Sequence, residues 1–326
     1  MHPVSRARVA QPRLSRMRSA RARQFKDNPA VQTRHFAQLV GLSALWGASF
    51  LFLRIASPLL GPTVMASSRV LLATATLAVL MWLLREPWPW KHWRELFRLG
   101  LLALAAPFLL YAWAALRLPA GYSALLNTTV VLFGTLASAW FGQDTLTARK
   151  LIGCAIGFVG VGLILQLGPV APTAETLMAA LACIAAAACY GVSTPLMKKA
   201  TDHMQPLAIA TGISAAAFVM LLPAGLWGLP QAHFTPTAMG ALLVMGVFTS
   251  GLAYWLNLRI IRHVSPVAAT SPAFLIPVFG VTWGHIFLGE ALSPGIFAGG
   301  ALVLVATALV TGFNPLRRDF PVEPTP

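Results

Sequence analysis

The sequence predicts an all-α integral membrane protein with ten transmembrane helices arranged as two inverted five-helix repeats. Three observations support this fold class. Long apolar stretches lack Asp, Glu, Lys and Arg; the loops between them alternate between many and few positive charges; and patterns from the first half recur in the second. Together these features specify the number of spans, their orientation and their internal symmetry.

Ten stretches of the chain are long and apolar enough to cross a bilayer. A transmembrane helix needs about 20 mostly apolar residues, because the hydrocarbon core is ~30 Å thick. The apolar stretch 203–258 is too long for one helix and is divided by the polar turn cluster 228–236, so it holds two spans. The predicted spans are 36–56, 63–84, 97–116, 121–142, 149–168, 175–197, 206–228, 237–258, 266–288 and 294–313.

The positive charges between these spans favour one orientation. With this arrangement every Lys and Arg falls on the same side of the membrane, except Arg54 and Arg117 on the opposite side and Arg69 within the second span. Short loops rich in Lys and Arg stay in the cytoplasm. The sequence therefore predicts a multi-pass protein of the bacterial cytoplasmic (inner) membrane, with both termini in the cytoplasm.

The composition restricts the partners that the chain can have. With 57% hydrophobic and 10% charged residues, a soluble protein of this size would have too little polar surface, so the lipid bilayer is the expected surrounding. The net charge of +15 is spread over the predicted cytoplasmic loops, and we expect no nucleic-acid binding. Cys154, Cys183 and Cys189 lie inside predicted spans without metal-ligand spacing, so no disulfide, metal or cofactor is expected.

Residues 1–35 form a separate basic segment. Seven Arg residues precede Asp27, and no apolar stretch with a cleavage site comes before the first span, so a cleaved secretory signal is not predicted. We expect a disordered cytoplasmic tail here and a second tail at 314–326. A transit peptide, a segment lying on anionic lipid, and a true start at Met17 or later are the alternatives for the first tail.

The two halves of the chain share sequence patterns. Residues 46–54, Trp-Gly-Ala-Ser-Phe-Leu-Phe-Leu-Arg, recur 144 residues later as 190–198, Tyr-Gly-Val-Ser-Thr-Pro-Leu-Met-Lys. The joint that begins at Asp144, Asp-Thr-Leu-Thr, recurs 146 residues later from Glu290 as Glu-Ala-Leu-Ser. Because equivalent positions are five spans apart, equivalent helices cross the membrane in opposite directions.

At these residues the chain resembles the drug/metabolite transporter superfamily, in its ten-span form with two EamA-type domains. The resemblance covers about residues 36–314 and rests on the motif at 46–50, Arg69, the acid-x-Leu-Ser/Thr joints and the glycine-rich spans five and ten. It implies five-helix domains at 36–168 and 175–313. It also implies a secondary transporter that moves small organic metabolites by alternating access, with export of amino acids or related zwitterions as the leading expectation.

The chain departs from internal symmetry at two places. Span four carries Asn127 followed by two threonines, where span nine has Pro272 and Pro277. Ile213 stands at the offset that matches Arg69, so the second half has no equivalent charge. We therefore expect the two halves to contribute unequally to substrate contact.

Arg69 is the charged residue predicted to lie well inside a span. A charge at this depth costs a few kcal/mol unless it is paired or hydrated, so its side chain must face the protein interior or a water-filled cavity. Two roles fit. The guanidinium either attracts a substrate carboxylate or forms a donor fork that ties carbonyl groups of neighbouring helices.

The repeated motif supplies further candidates for substrate binding. Its glycines allow close approach to the backbone, while its aromatic rings and hydroxyls can line a mostly apolar cavity. The alternative is that the motif only packs spans one and six against their neighbours. The candidates are Trp46, Gly47, Ser49, Tyr190, Gly191 and Ser193, with Asn127 as a polar orienting group.

Charged residues at the span ends are candidates for gates. Asp144 and Glu290 occupy equivalent joints, where a carboxylate also favours the positive end of the following helix. The sharper hypothesis is that Lys198 pairs with Asp144 on the inside and Arg54 with Glu290 on the outside, in alternation. Either role explains acids at these positions.

His285 is the histidine predicted inside a span. Its imidazole could titrate near neutral pH and couple transport to protons, or it could hydrogen-bond to a neighbouring helix. The sequence leaves both roles, proton coupling and helix packing, open for this side chain.

Other classes of protein fit the sequence less well. The chain has no HExxH, GxSxG or paired membrane carboxylate, so we do not expect an enzyme. A channel or a non-transporting membrane scaffold shares this composition and is the alternative to a carrier. Small-residue faces in spans five and ten suit helix packing within one chain, with a homodimer as the alternative.

Overall fold

The structure is a computed structural model, and its regular elements are helices. It describes residues 33–118, 120–165, 173–264, 269, 272–288 and 294–311. No β-strand occurs in these ranges, which confirms the all-α class. Most of the first predicted tail, the last residues of the chain and the joint residue Glu290 lie outside the described residues.

The helices follow one another with short connections. Two π-helical segments, Leu101–Ala105 and Val244–Leu252, join α3 to α4 and α10 to α11 without a break in the chain direction. The helices are α1 (Thr33–Leu60), α2 (Pro62–Leu83), α3 (Trp93–Gly100), α4 (Ala106–Ala114), α5 (Ala120–Asn127), α6 (Thr129–Trp140), α7 (Ala148–Leu165), α8 (Ala174–Ala200), α9 (Pro206–Gly228), α10 (Pro236–Leu243), α11 (Ala253–Ile261), α12 (Pro272–Leu288) and α13 (Pro294–Thr311).

Six helical stretches of the described residues are long and apolar enough to cross a membrane, and all six fall on predicted spans. Shorter apolar helices occupy the positions of predicted spans four, nine and ten. The chain is thus a multi-pass membrane protein. The six stretches are Ala37–Leu60, Pro62–Leu83, Trp90–Ala114, Ala174–Ala200, Pro206–Gln231 and Pro236–Ile261.

Local residue chemistry explains where several helices begin. Thr173 precedes α8 and its hydroxyl accepts the Thr176 N–H at 3.2 Å; Thr235 caps α10 in the same way through the Ala238 N–H. Gly61 separates α1 from α2 with a positive φ of 76°, which glycine adopts without a steric penalty. These caps and turns set the short connections between successive spans.

Predicted span four differs from a single helix. The structure divides it at Thr128 into α5 and α6. The Thr129 hydroxyl donates to the Leu126 carbonyl at 2.7 Å, and the Val131 N–H donates to the Thr128 carbonyl at 3.1 Å. Side-chain bonds of this kind compete with the regular helical ladder, so the two threonines after Asn127 account for the break.

Glycines bring α1 against α12 and α8 against α6. A Cβ on Gly47 would lie 2.8 Å from the Ile276 carbonyl oxygen, and one on Gly191 would lie 2.6 Å from the Gly134 nitrogen. Only a residue without a side chain permits these backbone contacts. The two glycines are the second residues of the two repeated motifs, so each motif makes the same kind of contact.

Helices α7 and α13 pack along their lengths through small residues. A Cβ on Gly160 would lie 2.9 Å from the Gly299 carbonyl oxygen, and one on Gly153 would meet the Val310 side chain at 2.9 Å. One glycine of each predicted small-residue face, Gly153 and Gly299, is therefore engaged in this contact within the chain. In lipid the hydrophobic effect does not drive helices together, so close van der Waals packing of this kind stabilises their association.

We expect Gly47→Ala and Gly191→Ala to lower the Tm of the detergent-purified protein by several degrees. The added methyl group would overlap backbone atoms, and overpacking of this kind costs about 1–3 kcal/mol. Gly41→Ala, on the same helix as Gly47, is the matched control because nothing lies within 4 Å of its Cβ position. Equal Tm values for the Gly47 and Gly41 variants would show that the α1–α12 contact is not tight.

Candidate functional site

A cavity of about 120 Å³ lies between helices of the two halves. Its wall combines aromatic and aliphatic side chains with a few hydroxyl and amide groups, as is typical of sites for small organic molecules. The described lining residues include one charged side chain and no Asp, Glu or His, so the donor set does not suit a metal ion. The predicted residues that line it are Trp46, Ser49, Arg69, Asn127, Tyr190 and Ser193.

Arg69 projects from α2 into the wall of this cavity and is 7% exposed. Its Nε donates to the Ser250 Oγ at 2.5 Å, and one terminal nitrogen lies 3.3 Å from the Thr249 Oγ1 and 3.5 Å from the Ser49 Oγ. All three acceptors are hydroxyls. Within the described residues the guanidinium is thus held by hydroxyls, and bonds to carbonyl groups of neighbouring helices are not formed there.

The charge of Arg69 has an aromatic partner but no acidic one in the described part of the chain. Its Cζ lies 4.0 Å from the centroid of the Phe108 ring, a cation–π contact. No described carboxylate is within ion-pair distance of the guanidinium. The cavity therefore carries a net positive charge at this wall.

Tyrosines form a second polar region of the cavity. The Tyr111 hydroxyl donates to the Asn127 Oδ1 at 2.9 Å, and the Tyr111 ring stacks on Tyr190 with centroids 6.2 Å apart. The Tyr254 hydroxyl donates to the Ala103 carbonyl, in the first π-helical segment, at 2.5 Å. Asn127 is thus fixed by Tyr111, and its amide nitrogen is oriented by that bond.

The two π-helical segments supply anchors for this region. The Trp46 Nε1 donates to the Thr249 carbonyl at 3.0 Å, and its ring meets Tyr254 edge-on at 6.1 Å. Thr249 and Ser250 both belong to the second segment, and Ala103 belongs to the first. π-Helical turns are frequent at functional sites because they disrupt the regular backbone bonding.

The remaining motif residues have distinct positions. Gly47 and Gly191 are buried in helix contacts and are not among the residues that line the cavity. The Ser193 hydroxyl donates to the Tyr190 carbonyl of its own helix at 2.9 Å. In each motif the glycine thus packs against another helix while its neighbours line the cavity. The two roles considered from the sequence, helix packing and cavity lining, fall to different residues of the same motif.

Arg54 and Lys198 occupy equivalent positions on the two halves. Arg54 donates to the carbonyls of Ala115 and Leu118 at 3.3 Å each, just beyond α4. Lys198 donates to the carbonyls of Ile261 and Val264 at 2.8 and 2.6 Å, at the end of α11. Both cations neutralise the negative end of a helix. Neither cation forms an ion pair with a carboxylate of the described residues.

Asp144 forms a local ion pair. Its Oδ1 lies 2.5 Å from the Lys150 Nζ and also accepts the Thr145 N–H at 2.7 Å. Asp144 and Lys150 are 9% and 4% exposed. The Asp144 Oδ2 is buried without a hydrogen-bond partner among the described residues. The predicted Lys198–Asp144 pair is not formed in this conformation, and the Arg54–Glu290 pair falls outside the described residues.

His285 lies in the last turn of α12 with an exposed side chain. It is not one of the residues that line the cavity. The structure therefore does not place it in the wall of the cavity with Arg69 and the motif residues.

Sequence reasoning missed the partners that hold Arg69. Phe108, Thr249 and Ser250 line or support the cavity, and Asn257, considered only as an orienting group, also lines it. The signal that could have found two of them is the hydroxyl pair Thr249-Ser250 within an otherwise apolar span. Phe108 carries no such signal, because phenylalanine is common throughout the spans.

The EamA-like transporter family matches the chain at residues 36–166 and again at 177–312. One crystal structure superposes with a TM-score of 0.67 at 17% identity, covering 83% of this chain and 98% of the other. That likeness supports the fold alone.

Two relatives are similar over most of their length. The inner membrane transporter YedA of Escherichia coli is 28% identical over 297 residues, covering 89% of this chain and 93% of that protein. A protein of Streptantibioticus cattleyicolor named probable terminal-alkyne amino-acid exporter is 24% identical over 267 residues, covering 81% and 89%. With both halves matched by one family, the chain belongs to the EamA-like transporter family of the drug/metabolite transporter superfamily and is a multi-pass membrane transporter.

Proposed function

We propose that the protein is a secondary transporter that exports small organic metabolites bearing a carboxylate, with amino acids and related zwitterions as the substrate class. The observation that carries the proposal is the buried Arg69, whose described partners are hydroxyls and a ring. An uncompensated buried charge is costly, and a ligand carboxylate in the cavity would compensate it. The fork geometry of a guanidinium suits two carboxylate oxygens.

Other groups in the cavity wall suit a substrate ammonium group. The Asn257 Oδ1 is a buried acceptor without a hydrogen-bond partner among the described residues. The faces of Trp46 and Tyr254 add aromatic surface that attracts cations. The name of the Streptantibioticus relative supports both the amino-acid class and the outward direction.

Two inverted five-helix repeats, 36–168 and 175–313, with ten spans, would provide alternating access. The contacts of the two halves correspond: Gly47 packs on α12 as Gly191 packs on α6, and Arg54 caps α4 as Lys198 caps α11. Matches of one family to both halves support the same architecture. In such proteins one repeat rocks against the other around a central site.

Arg69→Lys is expected to lower the efficiency of transport, measured as kcat/KM, about 10- to 100-fold, because lysine keeps the charge but lacks the forked donor geometry of the guanidinium. Hydrogen bonds to charged groups are worth ~1.5–3 kcal/mol. The substrate would first be identified by comparing the metabolites in the medium of overexpressing and deletion cells. Its counterflow in liposomes would then be measured for the wild type and the variant.

Arg259→Lys is the matched control, since Arg259 is exposed at the end of α11. Unchanged transport in the Arg69 variant would contradict the carboxylate anchor. Flux that does not saturate would favour a channel, and no flux of any metabolite would favour a scaffold.

We further propose that Lys198 and Asp144 meet when the inner gate closes, with Arg54 and Glu290 as the outer counterpart. The buried Asp144 Oδ2 supports this because it has an open acceptor position beside the Lys150 pair. Lys198→Gln should lower flux at equal membrane abundance, and a double swap, Asp144→Lys with Lys198→Asp, should restore part of it.

Lys150→Met is the comparison variant for that gate. It removes only the local pair and should lower the Tm, because a buried charge left alone costs about 3–5 kcal/mol. Normal flux in Lys198→Gln would exclude the gate.

The proposed orientation, with both termini in the cytoplasm of an inner-membrane protein, predicts opposite labelling of two exposed residues. In a background without Cys154, Cys183 and Cys189, Glu175→Cys should react with an impermeant maleimide on intact cells. Trp90→Cys should react only after permeabilisation, because it lies among the positive charges that stay inside. The reverse pattern would invert the topology.

A further inference from the structure

Two histidines and a glutamate lie close together outside the cavity, where the start of α3 approaches the turn between α8 and α9. His92 ends the short turn before α3, Glu95 lies in the first turn of α3, and His203 lies in the turn between α8 and α9. The His203 Nε2 is 3.0 Å from the Glu95 Oε2, and the His92 Nδ1 is 4.0 Å from the same oxygen. The two imidazole rings are 5.0 Å apart.

We propose that His92, Glu95 and His203 form a binding site for a divalent transition-metal ion of the zinc type. Imidazole nitrogens and a carboxylate oxygen are the ligands that Zn²⁺ takes alongside thiolates, and three protein ligands leave the fourth tetrahedral position to water. The three ligand atoms lie within 4.8 Å of one another. Bonds of about 2.0–2.1 Å would hold them roughly 3.3 Å apart, so small side-chain rotations complete the site.

The backbone beneath these ligands is fixed by close packing of α3 on α9. A Cβ on Gly100 would lie 2.7 Å from the Ile213 carbonyl oxygen, and one on Gly212 would lie 2.7 Å from the Leu96 side chain. Such contacts hold the start of α3 at a constant distance from the turn before α9. A site on rigid elements has its ligands in place before the ion arrives, which raises affinity.

The site is open to an ion, and one of its three ligands is a carboxylate. The three side chains are 39%, 29% and 40% exposed, so hydrated metal can reach them. Glu95 supplies a negative charge, while the neighbouring Arg94 guanidinium is turned onto the Trp93 ring at 5.3 Å. The ion would link α3 of the first half to the α8–α9 turn of the second.

The test uses the full-length protein in detergent, with any affinity tag removed and metal stripped by a chelator. Titration with ZnCl₂, followed by calorimetry and by competition with a chromophoric chelator, should show one saturable site per chain. Zinc should raise the Tm by a few degrees, because a ligand that binds only the folded state stabilises it. His92→Gln and His203→Gln should each weaken binding about tenfold or more, since even outer-sphere partners contribute that much.

His233→Gln is the matched control, because His233 is exposed and uses its backbone N–H to bond the Leu59 carbonyl. The glutamine variants are informative when their Tm in chelator equals that of the wild type. Loss of the zinc-induced rise in those two variants, and its retention in the control, would support the site. Wild-type zinc response in His203→Gln, or no saturable binding at all, would overturn it.

Discussion

The burial of the Arg69 guanidinium, which has no acidic partner in the described part of the chain, constrains how the helices around it are arranged. Arg69 is held by Ser49 from α1, by Ser250 and Thr249 from the second π-helical segment, and by the Phe108 ring from α4. These groups come from both halves of the chain and must meet at one depth in the membrane. Hydroxyls bond two of the guanidinium nitrogens without neutralising the charge, which leaves an attractive potential for an anion in the cavity.

The tight glycine contacts supply the geometry that this arrangement needs. Gly47 and Gly191 bring backbone against backbone, so their neighbours Trp46 and Tyr190 are turned toward the cavity by the helix itself. Since little hydrophobic drive exists between helices in lipid, such contacts decide which faces meet. Position in the motif thus separates two tasks: the glycine packs, and the aromatic residue before it lines the cavity.

The parts of the fold that follow from local composition could be predicted from the sequence, and the parts that depend on distant contacts could not. The apolar stretches predicted the six long apolar helices, and the depth of Arg69 indicated that it faces the interior. Ser250, however, is 181 residues away from Arg69, and although the hydroxyl pair Thr249-Ser250 stands out in its apolar span, nothing local links it to Arg69. The internal symmetry predicted an ion pair between Asp144 and Lys198. In this conformation Asp144 pairs with Lys150 instead, which is only six residues further along the chain.

The π-helical segments affect which faces of the helical stretches Trp90–Ala114 and Pro236–Ile261 meet their surroundings. A π turn takes up one residue more than an α turn, and each residue inserted in this way rotates the helix that follows by roughly 100°. A single helical wheel drawn through Pro236–Leu243 and Ala253–Ile261 would therefore misassign the later residues. The change of phase lets Tyr254 and Asn257 point to the cavity while the earlier turns of the same span keep a different face toward α1 and α2.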